Sequence, residues 1–133
     1  MIYSSLSYIT IKMTKKILVV DDEEDIRMLL ERLLENEGYD VSLAGEGKEA
    51  LAILKKEKVD LALLDFFMPG MSGRELAELI RKDIEIKDTK LAILTVDEFS
   101  LVEKEEMKML NISDYIQEPF DNEDLRQRIK NII

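Results

Sequence analysis

The sequence predicts an α/β domain in which five parallel strands alternate with five helices. Three observations carry that expectation. Short apolar runs recur at residues 17–20, 41–44, 61–64, 91–94 and 115–116. Segments with apolar residues at helical spacing separate them, which is the pattern of βα units and a parallel sheet. The chain's 133 residues suffice for one core but not two.

Each element follows in order. Ile17-Leu18-Val19-Val20 is wholly apolar and reads as a buried strand, and it runs straight into Asp21-Asp22-Glu23-Glu24-Asp25. Ile26, Leu29, Leu30, Leu33 and Leu34 then fall on one helix face, with Gly38 placed to end it. After the 41–44 strand, Ala50, Leu51 and Leu54 mark a second helix. Leu61-Ala62-Leu63-Leu64 closes in Asp65. The turn Pro69-Gly70-Met71-Ser72-Gly73 leads into a third helix marked by Leu76, Leu79 and Ile80. Leu91-Ala92-Ile93-Leu94 closes in Thr95, and Phe99, Val102 and Leu110 mark a fourth helix, weaker and more acidic. Tyr115-Ile116 leads to Gln117-Glu118-Pro119-Phe120, where proline cannot continue a ladder. Leu125, Ile129 and Ile132 mark the last helix. Met13-Thr14-Lys15-Lys16 resembles a natural start, so residues 1–14 are expected to lie outside a domain spanning 15–133. No internal repeat or linker is visible, and the domain is expected to stand alone.

Composition removes several classes of function. There are 29 acids against 19 bases, a formal charge of −10, which disfavours direct binding to nucleic acid or to an anionic membrane. The chain has no cysteine, excluding disulfides, thiolate nucleophiles and cysteine-based zinc sites. It has no histidine, so imidazole catalysis, histidine metal ligation and a phosphohistidine on this chain are excluded as well. Chemistry must come from carboxylates, hydroxyls, lysine or a metal. No apolar stretch reaches the roughly 18 residues of a membrane span, and the first dozen residues lack a basic leader, so the chain is expected in the cytoplasm.

The acids carry the strongest chemical signal. If the first and third strands are parallel neighbours, Asp21, Asp22 and Asp65 converge beyond their carboxyl ends, where open α/β sheets place ligands. Crowded carboxylates resist ionising together unless a cation offsets the cost. Three of them in one concavity ask for a hard divalent cation, Mg²⁺ above all. The plain alternative has Asp22 capping the first helix and its neighbours forming a solvated first turn. Asp65 tips the balance, because it ends an apolar strand with no helix nearby to cap. Thr95 could bond an anion in the same cleft, and Glu118 would add a further carboxylate. Gly45-Glu46-Gly47-Lys48-Glu49-Ala50 fits a dinucleotide-binding pattern formally, but Glu46 and Glu49 would repel a pyrophosphate.

These motifs, taken together, resemble the receiver domain of two-component response regulators. The resemblance rests on Ile17-Leu18-Val19-Val20-Asp21-Asp22, on Leu63-Leu64-Asp65 with Met68-Pro69-Gly70-Met71-Ser72-Gly73, on Thr95, and on Tyr115 with Pro119-Phe120. It covers essentially residues 15–132. It implies a flavodoxin-like, doubly wound sheet in strand order 2-1-3-4-5 with helices on both faces. It also implies roles. Asp65 matches the phospho-acceptor; Asp21, Asp22 and the Phe67 carbonyl match the ligands of Mg²⁺; Thr95 matches the hydroxyl that meets the phosphoryl group. Tyr115 matches the aromatic that tracks the active state. The implied partners are a sensor histidine kinase or phosphotransfer protein, and a downstream protein on the face of the fourth helix, fifth strand and fifth helix, or a second copy in a homodimer. That region carries Glu98, Glu103, Glu105 and Glu106 beside Lys104 and Lys108, with Met107 and Met109. A cis Glu118–Pro119 peptide is implied too.

Two positions depart from the family. Glu118 stands where the family's lysine is expected, exchanging a cation for an anion, with Lys87 and Lys90 as the candidates to replace it. Val96 follows the hydroxyl position, where a smaller residue is usual, and would narrow the approach to Asp65. Both changes favour an alternative in which the chain is a receiver-like interaction module that phosphorylation does not switch.

Overall fold

The computed structural model describes residues 14–97 and 99–133. The extension expected over residues 1–14 lies, but for its last residue, outside the described residues. The chain alternates β1 (Lys16–Val20), α1 (Glu24–Asn36), β2 (Asp40–Ala44), α2 (Gly47–Lys56), β3 (Leu61–Asp65), α3 (Gly73–Lys82), β4 (Lys90–Thr95), α4 (Leu101–Met109), β5 (Ile112–Gln117) and α5 (Asn122–Ile132). The five strands form one sheet in the order β2-β1-β3-β4-β5, and every pairing is parallel. This is the flavodoxin-like arrangement.

Strand alternation divides the apolar residues between two cores. Ile17 and Val19 of β1 and Leu61 and Leu63 of β3 face Leu30, Leu33 and Leu34 of α1 and Leu125 and Ile129 of α5. Leu18, Val20, Ala62 and Leu64 point the other way, toward Leu54 of α2, Leu76 and Ile80 of α3 and Met107 of α4. Burying both faces is why the central strands read as continuous apolar runs rather than alternating ones. Each fully buried leucine or isoleucine contributes roughly 1.5–3 kcal/mol.

The fourth helix corrects the sequence reading. Phe99 lies before α4 and is buried in the loop, Leu110 caps the helix end, and Val102 is exposed. Met107 alone of its residues is buried. Leu29 and Leu79, expected on the core faces of their helices, are also nearly half exposed. The fifth strand begins three residues before the 115–116 run, because Ile112, Ser113 and Asp114 of an edge strand need not be apolar.

Local chemistry sets the helix starts. Ser72 caps α3 by accepting from the Glu75 N–H, and Ser100 with Glu103 forms a reciprocal capping box on α4. Asp121 caps α5. Gly70 has φ +80°, which glycine adopts without strain. Gly73 is required by space: a Cβ there would lie 2.3 Å from the Asp65 carbonyl oxygen, so the start of α3 sits directly on the end of β3.

Candidate functional site

Strand register brings the acids together. Val20 pairs with both Ala44 and Leu64, so Asp21 and Asp65 each stand one residue beyond a paired position on adjacent strands. Asp21, Asp22 and Asp65 each offer a carboxylate oxygen, all within 4.8 Å of one another. Oxygens around an octahedral Mg²⁺ lie roughly 3–4 Å apart at its short bond lengths. The three carboxylates therefore fit such an ion with small side-chain adjustments, and an all-oxygen donor set suits its hardness.

The surroundings of the three differ. Asp21 is only 2% exposed, and its Oδ1 accepts from the Glu23 N–H at 2.9 Å. The bond closes a turn just before α1, whose N-cap residue Glu23 makes no side-chain cap bond, and Asp22 does not cap the helix either. Burial pushes the Asp21 carboxyl upward, the Glu23 N–H opposes this, the Asp22 and Glu23 charges add to it, and Arg27 draws it back. Asp65 is half-buried and its Oδ1 accepts from the Phe67 N–H at 3.3 Å. Its carboxyl is pushed up to about 8, by burial first, then by the Asp21 charge and a hydrogen bond with Asp22. Crowding of this kind is relieved by a proton or a metal ion.

Thr95 ends β4 beside this cluster and is buried. Its hydroxyl donates to the Asp97 carbonyl at 3.0 Å and accepts from the Asp97 N–H at 3.2 Å, so it is turned into its own loop. Tyr115 is half-buried on β5 and joins a chain of edge-to-face rings. Phe67 meets Phe66 at 4.8 Å, Phe66 meets Phe99 at 4.7 Å, and Phe99 meets Tyr115 at 5.3 Å between centroids. The chain runs from the residue two beyond Asp65 to the fifth strand.

Glu118 does not join the three clustered carboxylates. Burial raises its carboxyl, with the charges of Asp21 and Glu23 adding to the effect. It lines a groove of about 470 Å³ with Ile26, Leu29, Val96, Pro119 and Phe120. Val96 is 57% exposed in the same groove. The peptide between Glu118 and Pro119 is cis. Neither lysine considered as a replacement cation is near. Lys90 starts β4 opposite Leu61, and its Nζ donates to the Ile132 carbonyl at 3.0 Å. Lys87 precedes it in the loop at that same far end of the sheet. The glycine pair of the dinucleotide pattern is closed by the chain itself, since Glu49 Oε1 accepts from the Gly45 N–H at 2.7 Å.

One residue at the site escaped the sequence reading. Arg27 donates from Nη1 to the Asp21 carbonyl at 2.7 Å. A single basic residue on an otherwise acidic helix start carries no motif. Only its spacing, about one and a half turns after Asp21, hints that it folds back over the strand end.

Residues 17–130 match the family described as the response regulator receiver domain. The chain belongs to that family. Among solved receivers, the chemotaxis protein CheY4 of Vibrio cholerae is 32% identical, with a TM-score of 0.84 over 90% of this chain and 99% of that one. A CheY-like receiver domain protein of Methanospirillum hungatei is 34% identical, with a TM-score of 0.80 over 89% and 92% of the two chains. A probable transcriptional regulator, ycf27, of Porphyridium aerugineum is 37% identical over 119 residues, covering 90% of this receiver and 48% of that protein. The chain thus spans about half the length of that curated relative. Among the described residues, no helix of this receiver is long and apolar enough to cross a membrane.

Proposed function

We propose that this receiver accepts a phosphoryl group on Asp65 from the phosphohistidine of a sensor kinase or phosphotransfer protein, in the cytoplasm, and signals through a protein partner. The observation that carries the reading is the convergence of Asp21, Asp22 and Asp65 within 4.8 Å at the carboxyl end of a parallel sheet. Asp21, Asp22 and Asp65, with the Phe67 carbonyl, would hold Mg²⁺. The ion would supply charge neutralisation for the phosphoryl oxygens. An Asp65 carboxylate oxygen forms the bond to phosphorus as the phosphorus–nitrogen bond to the donor imidazole breaks, and the electron pair leaves with the nitrogen. The Phe67 N–H, bonded to Asp65 Oδ1, fixes which carboxylate oxygen is free to attack.

The product is an acyl phosphate, open to hydrolysis, as a reversible switch needs. Thr95 would exchange its bond to Asp97 for one to the phosphoryl group. The Phe66–Phe99–Tyr115 rings would carry that loop movement toward β5. The downstream surface is α4, β5 and α5, where Leu101, Val102 and Met109 are exposed on α4. Met107 belongs to the core and takes no part in that surface. A second copy of the chain is a candidate occupant of the same face. The receiver unit is residues 15–133.

Incubation with acetyl phosphate followed by intact mass measurement tests this. One added phosphoryl mass is expected with Mg²⁺, and none without it or in Asp65→Asn. An adduct that persists in Asp65→Asn overturns the assignment. Absence of an adduct in the natural chain together with uptake in Glu118→Lys would replace it with the interaction-module reading.

A further inference from the structure

We infer that Arg27 is a positioning residue for the metal site, its guanidinium holding the Asp21–Asp22 peptide so that both carboxylates face one cation. The inference rests on the metal-dependent reading of the Asp21, Asp22 and Asp65 cluster and concerns a residue outside that cluster.

Arg27 lies in the first turns of α1, and its side chain returns to the end of β1. Nη1 donates to the Asp21 carbonyl at 2.7 Å, the short distance of a charge-assisted bond. Asp21 is thereby held at three points. Its N–H donates to the Ala44 carbonyl of β2 at 3.1 Å, its Oδ1 accepts from the Glu23 N–H at 2.9 Å, and its carbonyl meets Arg27. The first two fix Asp21 itself. The third fixes the plane of the peptide that leads to Asp22, because a planar peptide moves as a unit. Asp22 is exposed, so packing does little to orient it. The bond from Arg27 adds a restraint on the link between two ligands that must converge, beside the Asp21 Oδ1–Glu23 N–H bond that spans it.

Gly45 completes the arrangement. A Cβ at that position would lie 3.2 Å from Arg27 Nη1, so the guanidinium rests over the main chain of the loop between β2 and α2. Arg27 thus bonds the end of β1 to the first helix and lies against the loop after β2.

Charge and position make opposite predictions. A cation beside a metal site repels the metal, so a purely electrostatic Arg27 would weaken Mg²⁺ binding, and its removal would strengthen it. A positioning Arg27 strengthens binding, and loss of such outer groups typically costs about 10–100-fold in metal affinity. Calorimetric titration of MgCl₂ into the full chain separates the two. Arg27→Met is expected to bind Mg²⁺ about tenfold more weakly than the natural chain, while Arg27→Lys, which retains a donor of nearly the same reach, recovers most of the loss. Gly45→Ala, pressing on the guanidinium with its charge intact, is expected to weaken binding as well, and to add nothing once Arg27 is methionine. Unchanged or tighter binding by Arg27→Met overturns the inference. If circular dichroism shows that variant unfolded, Arg27→Gln, which removes the charge and shortens the reach, takes its place, and unchanged or tighter binding there overturns the inference. A natural chain that binds no Mg²⁺ removes the metal reading and this inference together; binding that ignores both substitutions removes only the inference.

Discussion

Asp65 is the residue whose environment departs furthest from that of an isolated side chain. Its carboxyl is raised from 3.8 to about 8 by burial and by the neighbouring Asp21 and Asp22. A raised acid favours the folded state while protonated. That contribution is full below 3.8 and is lost as pH climbs through about 8. In metal-free protein the thermal midpoint is therefore expected to fall across that interval. Asp65→Asn should flatten the fall, and Mg²⁺ should raise the midpoint more at the alkaline end than at the acid end. An Asp65→Asn variant whose midpoint falls as steeply as that of the natural protein contradicts the assignment. Glu118 was legible as an anion in a cation's place, but the expectation that it adds a fourth carboxylate to the cluster was not met. The sequence shows charge, whereas its burial and its place outside the three clustered acids depend on the loop that carries it.

At the scale of elements, α4 is the least anchored. It has nine residues and one buried side chain, so its stability leans on its caps and on Arg74, whose Nη1 meets Glu106 at 2.8 Å. Ser100→Ala removes the capping box and should cost about 1 kcal/mol. Amide exchange should speed up through α4 far more than through α3, and equal acceleration in both would show that the box does not serve α4 locally. This helix is also where sequence reading fell short, for the same reason. An element with one core contact has almost no apolar period to display, and Phe99, which looked like its first core residue, is held by Phe66 and Tyr115 instead. The strands were legible in proportion to burial. β1, β3 and β4 are covered on both faces and read as unbroken apolar runs, whereas half of β5 is polar edge and was missed. The three-carboxylate site was legible because it follows from strand ends and register. Arg27 was not, since a main-chain bond leaves no trace in composition.

For the molecule as a whole, the sheet is the organising feature. It separates a core with α1 and α5 from a core with α2, α3 and α4, and buried side chains of the two do not mix. Ile80→Val on one side and Ile129→Val on the other should each cost about 0.5–1.5 kcal/mol in denaturant unfolding. The double variant should equal their sum to within about 0.5 kcal/mol. A larger deviation would mean that the strands transmit packing changes from face to face. Where the sum holds, the partition has a consequence for descent. Each side can accumulate substitutions at its own pace, so the groove beside α1 and the outer surface of α4 are free to be rewritten for new partners without renegotiating the opposite layer.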